Sequence, residues 1–343
     1  MSQPVPFDIT PEQEASKLQF FRRQLFASPA EILPGDIDLA GKTAIVTGAN
    51  GDLGRECSRQ LLRLGLTKLI LAVRDEAKGA VVRDALIADT KLGGSDRSVE
   101  VWKLDYASYD SVVAFARRVE QQLTLDIAIL NAGVTRAAFS LNPTTGHEED
   151  LQTNYLSSTL LLLLLVGVFK KTESSRLGPG RIVLVSSDTA AWAKFNEKDQ
   201  DPMLAAFKDE ASFEKYERYA TTKLMGQLFI TEVAKRVPSS LAVINCANPG
   251  LCYSGNQREL NAIVTTGIRI LGRSPAVGSR ALVHAAVVQD EKSHGQYVED
   301  GEIRPMAPFV YSPDAAPVIQ RLWDETMQEF SFAGVQDILA GLV

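Results

Sequence analysis

The sequence predicts a single-domain α/β protein, with a doubly wound parallel sheet of about seven strands and helices on both faces. Short apolar runs rich in β-branched residues alternate with longer segments of helical period from residue 43 to residue 298. Such alternation is typical of parallel strands joined by crossover helices. A glycine-rich turn also follows the first strand, and sheets of this kind bind ligands at the carboxyl ends of their strands.

The strand, turn and helix at residues 43–64 are the most informative stretch. Residues 43–47 are an apolar run typical of a buried strand, and residues 55–64 have a helical period. Glycines let the backbone approach a ligand closely, and the unpaired N–H groups of a helix N-terminus favour negative charge. The stretch is therefore a candidate pyrophosphate site, with an ordinary tight turn as the alternative. The turn contains Gly48, Asn50, Asp52, Leu53 and Gly54.

The other elements follow in order along the chain. Further strands are predicted at residues 68–73, 99–104, 126–130, 181–185, 241–246 and 295–298. Further helices are predicted at residues 75–89, 108–122, 147–171, 216–236 and 275–289. Residues 1–40 are expected to form a helical extension and connector, residues 41–300 the sheet domain, and residues 301–343 a helical tail packed on it.

Composition restricts the classes of function. Hydrophobic residues make up 45% and charged residues 23% of the 343 residues, which is ordinary for a soluble globular protein. The net charge of −6 argues against nucleic-acid binding, because phosphate contacts need a basic face. Cys57, Cys246 and Cys252 lack the spacing of a zinc site or a disulfide framework. No metal site is therefore expected, and a reducing compartment fits.

Two segments bear on membranes and location. The apolar run 156–169 is shorter than the ~20 residues of a membrane span, so a helix buried against the sheet is favoured. Residues 12–27 place apolar side chains at helical spacing beside basic ones. Docking of this helix on the main domain is favoured over contact with a membrane surface. Since the polar, proline-rich start is not typical of a signal peptide, a cytoplasmic protein is expected.

Tyr219 and Lys223 are the most informative polar pair. They lie four residues apart on a predicted helix, so they share one face about one turn apart. A free tyrosine has a pKa of ~10, and a nearby ammonium favours the phenolate and lowers that pKa toward the working range. In isolation, such a pair is more typical of a solvated helix face.

Other polar residues follow strands that should end at the same edge of the sheet. These residues are Asn131, Ala132, Gly133, Ser186, Ser187, Asn248, Pro249 and Gly250, with Asn154 in the long helix. Together with the glycine turn and the Tyr219–Lys223 pair, they make the chain resemble a classical short-chain dehydrogenase/reductase over roughly residues 20–330. More narrowly, it resembles the retinol-dehydrogenase-like branch of filamentous fungi. The resemblance implies a Rossmann-type fold.

The resemblance also implies roles for individual residues. Tyr219 would be the general acid/base, and Lys223 its partner, which also holds the nicotinamide ribose. Ser187 would orient the substrate oxygen, and Asn154 would hold a relay water. Cofactor contacts would come from Gly48, Asn50, Asp52, Leu53, Gly54, Arg74, Asp105, Asn131, Ala132, Gly133, Pro249, Gly250, Leu251 and Ser254. Cys252 lies among them and is interpreted as a bystander.

Two positions bear on the cofactor. Asp52 stands where the family has the middle glycine of the turn. The favoured interpretation is that it points away from the pyrophosphate and supports the first turn of the helix. Arg74, at the end of the second strand, suits a 2′-phosphate, whereas an acid there would favour NAD. Although Asp75 weakens this signal, NADPH is expected rather than NADH.

The stretch 188–215 interrupts the alternation of strands and helices. Tyr219 follows Ser187 by 32 positions, which is long for the family, and the extra length lies in this stretch. Long loops are usually functional or disordered. The aromatic residues Trp192, Phe195, Phe207 and Phe213 have no regular period. A substrate lid is therefore predicted, with packing of these rings onto the body as the alternative.

The sequence thus predicts an NADPH-dependent carbonyl reductase that acts on a lipophilic ketone or aldehyde, with Tyr219 as general acid. The fungal resemblance makes a specialised-metabolite intermediate a reasonable substrate. One alternative is a redox-silent isomerase or cyclase that retains NADP as a structural part. Another is a non-catalytic NADP-binding protein. The sequence indicates neither the substrate's identity nor the oligomeric state.

Overall fold

The structure is a computed structural model that describes residues 7–90, 96–253 and 271–342. Its strands are β1 (Thr43–Thr47), β2 (Lys68–Val73), β3 (Ser98–Lys103), β4 (Ile127–Leu130), β5 (Gly180–Val185), β6 (Ala242–Asn248), β7 (Tyr297–Glu299) and β8 (Glu302–Arg304). They form one sheet in the order β3-β2-β1-β4-β5-β6-β7-β8. Neighbouring strands from β3 to β7 are parallel, and β8 is antiparallel to β7.

The helices cover both faces of this sheet. They are α1 (Pro11–Glu14), α2 (Lys17–Phe26), α3 (Asp52–Arg63), α4 (Glu76–Thr90), α5 (Tyr109–Gln122), α6 (Ser158–Lys171), α7 (Met203–Ala206), α8 (Lys215–Arg236), α9 (Pro275–Val287), α10 (Ala315–Glu329) and α11 (Val335–Ala340). Side chains alternate along β1, with Ile45 in one core and Ala44 and Val46 in the other. Helices α3, α4 and α9 pack in the second core, and α5, α6, α8, α10 and α11 in the first. The predicted doubly wound, single-domain fold is confirmed.

The eighth strand is a difference from the seven or so that the sequence predicts. The prediction ended at residue 298, but the chain turns at Asp300 and Gly301 and pairs back along β7. Both turn residues have positive φ, 52° and 86°, as a type I′ hairpin requires. The Asp-Gly pair was therefore a usable hairpin signal. The three-residue partner strand was too short and too polar to predict from periodicity.

The long predicted helix at 147–171 begins later and is not uniform. Residues Leu151–Ser157 form a π-helix that continues into α6. Leu151–Lys171 is long and apolar enough to cross a membrane, but 83% of its most apolar window is buried inside the protein. It is therefore the core helix that the sequence predicted.

Candidate active site

The turn after β1 has the shape of a phosphate cradle. Gly48 has a φ of 63°. A Cβ on Gly54 would lie 2.5 Å from the Gly48 carbonyl oxygen and 2.9 Å from the Asn131 amide nitrogen, so only glycine fits there. Gly51 caps α3 without a side-chain hydrogen bond. The first turn of α3 therefore has backbone N–H groups that no capping side chain occupies, which suits a pyrophosphate.

Asp52, the departure from the family pattern, is the first residue of α3. Its carboxylate lies 3.7 Å from the Arg55 guanidinium, one turn along the same helix. An acid in the first helical turn also interacts favourably with the helix dipole. This placement agrees with the interpretation that Asp52 supports the helix.

Arg74 lies at the edge of the sheet beside the glycine turn, because the Gly48 amide donates to the Ala72 carbonyl at the end of β2 (2.9 Å). Its side chain is exposed. The Lys103 ammonium donates to the Arg74 carbonyl oxygen (2.5 Å), which adds a second cation that sequence reasoning missed. The Asp75 carboxylate accepts the Lys78 amide (3.1 Å) at the start of α4. Asp75 therefore supports the first turn of α4.

Residues that follow β4 and β3 hold the backbone in place at this edge of the sheet. The Asn131 side chain donates to the Thr47 carbonyl (2.9 Å), and the Ala132 amide donates to the Thr47 hydroxyl (2.9 Å). These bonds hold the ends of β1 and β4 together. Asp105 accepts the Ala107 amide on its carboxylate (3.0 Å), so it shapes the loop after β3.

Asn154 is positioned by the π-helix against the backbone after β4. Its side chain accepts the Val134 amide (2.8 Å) and donates to the Val134 carbonyl (2.9 Å) and to the Thr222 hydroxyl (3.1 Å). A Cβ on Gly133 would lie 3.1 Å from Asn154 Oδ1 and 3.6 Å from Lys223 Nζ. The predicted residues from β4, the π-helix and α8 therefore meet at one point.

Tyr219 and Lys223 lie one turn apart on α8, as predicted. The buried Lys223 ammonium donates to the Val185 carbonyl at the end of β5 (2.8 Å) and lies 5.5 Å from the centre of the Tyr219 ring. Burial lowers the pKa of Lys223 to about 8. Burial, together with Asp188, raises the pKa of Tyr219 to about 12, against the hydrogen bond with Ser187. The predicted lowering of the tyrosine pKa by the ammonium is therefore outweighed here by burial.

Ser187 caps the short 3₁₀ turn Asp188–Trp192 and lies within hydrogen-bond reach of Tyr219. Its hydroxyl oxygen accepts from the Thr189 hydroxyl (2.9 Å), and its proton points to the Asp188 carboxylate (3.3 Å). Burial raises the pKa of Asp188. Sequence reasoning missed Asp188, although an acid directly after the catalytic serine candidate was visible. Ser186 is buried and accepts from the Gln227 amide (3.2 Å), so it remains the uninvolved neighbour.

The segment after β6 is held in place by its own side chains. Asn248 accepts the Gly250 amide (3.0 Å), and Gly250 has a φ of 74°. Burial raises the pKa of the Cys252 thiol to about 12, which fits a bystander rather than a nucleophile. The Pro249 carbonyl accepts a hydrogen bond from the Cys252 thiol in this segment (3.6 Å). Ser254 lies outside the described residues.

The stretch 188–215 is packed more firmly than a free lid. Phe195 and Phe207 are fully buried in the core. Phe213 packs against the Phe139 ring at 6.0 Å. The buried Arg218 guanidinium lies over the Phe207 ring and donates to the Glu197 carboxylate (2.9 Å), which ties the stretch to the catalytic helix. Trp192, in contrast, lines a cavity beside Ser187.

Ser187 lines a small inner cavity, and an outer groove adjoins that cavity. The inner cavity has a volume of about 30 Å³, and the outer groove about 520 Å³. Ala191 and Ala307 line both, so the groove leads toward the serine. The groove is lined mainly by small and apolar residues, namely Ala190, Ala193, Pro308, Phe309, Tyr311 and Pro313.

The glycine cradle and the cluster of Asn154, Ser187, Tyr219 and Lys223 define a dinucleotide-dependent oxidoreductase. A family model described as short chain dehydrogenase matches residues 42–197. The short-chain dehydrogenase fogG of Aspergillus ruber is 45% identical over 348 residues, covering 98% of this chain and 99% of that protein. The chain therefore belongs to the short-chain dehydrogenase/reductase family and is an NAD(P)-dependent enzyme.

A further relative and two solved structures are also similar to this chain, the structures in their fold. The short chain dehydrogenase virL of Hypocrea virens is 36% identical and covers 96% of each chain. A crystal structure of an uncharacterised Mycobacterium paratuberculosis protein gives a TM-score of 0.61 at 25% identity, covering 88% of this chain and 98% of that one. A Shigella flexneri short chain dehydrogenase complexed with NADP gives 0.55 at 18% identity, covering 77% and 98%. These matches do not distinguish the retinol-dehydrogenase-like branch within the family.

Proposed function

We propose that the protein is an NADPH-dependent carbonyl reductase that reduces a lipophilic ketone or aldehyde in the cytoplasm. The observation that carries this proposal is the meeting of Tyr219, Lys223, Ser187 and Asn154 at the carboxyl edge of the sheet. A specialised-metabolite intermediate is a reasonable substrate class for an enzyme that resembles fungal dehydrogenases. Those of Aspergillus ruber and Hypocrea virens are among them.

The cofactor would lie along this edge. The glycine cradle from Gly48 to Gly54 would take the pyrophosphate, and Asn131 to Gly133 the adenosine side. Lys223 would hold the nicotinamide ribose, and Pro249 to Leu251 would cover the nicotinamide. When bound, NADPH supplies the hydride. Arg74 and Lys103 are two cationic residues at the adjacent ends of β2 and β3, and a cation there suits a 2′-phosphate, which supports NADPH over NADH.

The chain's own residues supply the proton and the electrostatic stabilisation. Tyr219, whose raised pKa keeps it protonated at neutral pH, donates its phenolic proton to the substrate oxygen. The Ser187 hydroxyl, whose single proton points to Asp188 without substrate, would turn that proton to the same oxygen, where negative charge develops. The Lys223 ammonium offsets the charge left on Tyr219. Asn154 fixes the backbone beside Gly133, so that these groups keep their positions.

Removal of the Arg74 guanidinium should separate the two cofactors. In Arg74→Ala, NADPH binding is expected to weaken by roughly 1.5–3 kcal/mol, the worth of a charged hydrogen bond, while NADH binding barely changes. Titration of the protein's affinity for each cofactor measures this. Arg83→Ala is the matched control, because Arg83 lies on α4 and pairs with its neighbour Asp84. Equal losses for both cofactors would place the preference elsewhere.

Three of the four aromatic residues of 188–215 should divide into two groups. Phe195→Ala and Phe207→Ala remove buried rings and are expected to cost about 3–5 kcal/mol of stability. Trp192→Ala, at the inner cavity, is expected to raise KM or lower kcat while NADPH affinity and thermal stability hold. Steady-state kinetics and thermal unfolding of each variant test the division. If Trp192→Ala also loses activity only in step with stability, the stretch is structural and is not a substrate lid.

The proposed function is tested by incubating the purified protein and NADPH with a panel of lipophilic ketones and aldehydes. Consumption of NADPH with formation of the corresponding alcohol is the expected result. Conversion of a substrate without cofactor consumption would instead identify a redox-silent isomerase or cyclase. Cofactor binding without conversion of any compound would favour a non-catalytic NADP-binding protein.

A further inference from the structure

Helix α2 of the N-terminal extension docks on the body through polar side chains. Its buried residues are Arg23 and Gln24. Four of its apolar residues, Leu18, Phe21, Leu25 and Phe26, are exposed, whereas Phe20 packs edge-on against the Trp192 ring. Contact of this helix with a membrane surface would require exposed apolar residues. Docking on the main domain, the favoured interpretation of residues 12–27, would require buried contacts with it. Because a buried charge is costly unless it is paired, the partners of Arg23 identify what this helix is for.

Gln24 binds the segment that would cover the nicotinamide. Its amide nitrogen donates to the carbonyl oxygens of Leu251 (2.9 Å) and Leu271 (2.8 Å), and its amide oxygen accepts the Leu251 amide (3.0 Å). The extension also holds the stretch after Ser187, because the Trp192 indole donates to the Ala15 carbonyl (2.8 Å). Two active-site segments are therefore tied to the same helical extension.

Arg23 begins a series of polar contacts that ends at Ser187. Its guanidinium lies 2.8 Å from a Glu299 carboxylate oxygen, and the other oxygen accepts the Asn248 amide (3.0 Å). The Asn248 side chain lowers the pKa of the Asp188 carboxyl, and Asp188 lines the same cavity as Arg23, Glu299 and Ser187. The Ser187 hydroxyl in turn donates to Asp188 (3.3 Å). All of these links but the last join side chains that are distant in the sequence, whereas Ser187 and Asp188 are neighbours.

The charges along this series favour Arg23 as its organising group. Burial raises the pKa of Asp188, and it raises the pKa of Glu299 to about 8. The positive charge of Arg23 acts in the opposite direction on both carboxyls. Arg23 also pairs with Asp300 (2.9 Å), which the Arg273 guanidinium holds from the other side (2.6 Å).

We propose that Arg23 is a positioning residue for Ser187. It acts through Glu299, Asn248 and Asp188, which hold the Ser187 hydroxyl at the substrate carbonyl. The N-terminal extension thereby completes the active site. Since the family model matches residues 42–197, this contribution comes from outside the matched segment. The inference rests on the proposed reductase activity.

The first test compares Arg23→Met, Arg23→Lys and the control Arg22→Met, which changes the exposed neighbour on the same helix. Arg23→Met is expected to lower kcat about tenfold or more, as misplaced catalytic groups do. KM and NADPH affinity should stay within a few-fold. Arg23→Lys should recover part of the loss, and Arg22→Met should match the wild type. Wild-type kinetics in Arg23→Met would overturn the proposal.

A double-mutant cycle with Ser187→Ala separates positioning from general destabilisation. If Arg23 acts through Ser187, Arg23→Met should cause little further loss in the Ser187→Ala background, because groups acting as a unit are not additive. An undiminished loss in that background would show that Arg23 acts by another route. Thermal unfolding of each variant identifies losses that arise from stability alone.

Amide hydrogen exchange supplies a measurement that does not need turnover. Exchange at residues 187–192 is expected to rise in Arg23→Met and to stay unchanged in Arg22→Met. If Arg23→Met does not fold, Arg23→Lys is measured in its place, with a smaller rise expected. Unchanged exchange would overturn the positioning role. Absence of NADPH oxidation by the wild type would instead overturn the proposed function, so the two failures are distinguishable.

Discussion

Tyr219→Phe is expected to reduce turnover at least about 10²-fold, the usual contribution of a positioned general acid. The substitution removes the phenolic proton and leaves the ring in place. Because Lys223 and the glycine cradle remain, NADPH affinity should stay within a few-fold. Burial raises the pKa of Tyr219 to about 12, so the wild-type residue is the protonated acid across the neutral range.

Single-turnover kinetics with NADPH and an active ketone measure this loss. Tyr216→Phe is the matched control, because Tyr216 lies on the same helix but is 58% exposed. It should retain wild-type kinetics. If Tyr219→Phe retains more than about a tenth of kcat, a difference of only ~1.4 kcal/mol in the barrier, Tyr219 is not the general acid.

Lys223→Met is expected to lose about 10²–10³-fold in kcat, the range for removal of one electrostatic donor from an active site. The loss should include weaker NADPH binding, because the ammonium would also hold the nicotinamide ribose. Lys235→Met, near the end of the same helix, is the control and should keep activity. A Lys223→Met enzyme with normal kcat would exclude the ammonium from the chemistry.

The same substitution should make the protein more stable at neutral pH. Burial lowers the pKa of Lys223 from 10.5 to about 8, so folding releases a proton between these values. Wild-type stability is therefore expected to rise with pH from about 8 to 10.5, and to lack that contribution below pH 8. Lys223→Met should remove this rise and gain a few kcal/mol at pH 7. Denaturant unfolding of both proteins at pH 7 and about pH 9.5 tests the sign, and an equal pH dependence in both would contradict it.

The fold could be predicted because its signals are local. Each strand is a short apolar run, each crossover helix has its own period, and the handed connections then leave few arrangements. The π-helical start of Leu151–Lys171 could not be predicted, because its sequence is as compatible with an α-helix. Strand β8 was missed because its three residues, of which only Ile303 is apolar, are too few to show a period. The Asp300–Gly301 pair was the sequence signal that could have predicted the hairpin turn between β7 and β8.

The site residues could be predicted where they directly follow a predicted strand. Ser187, Asn131 and Gly133 follow strands, and the sheet gathers such residues at one edge. Arg23 and Glu299 were missed because they are 276 positions apart in sequence and their pairing depends on docking of α2. Neither lies in a motif. The burial of Phe195 and Phe207 was likewise invisible, since an aperiodic loop does not show which rings face the core.

The measurement that tests the account most directly is the fate of the cofactor's hydride. The protein is incubated with an active lipophilic ketone and NADPH that carries deuterium at the transferred position of the nicotinamide. The account predicts an alcohol with deuterium on the former carbonyl carbon, formed by the wild type and by Tyr216→Phe but not by Tyr219→Phe. Product that contains no deuterium, or equal labelling by the Tyr219→Phe variant, would contradict it.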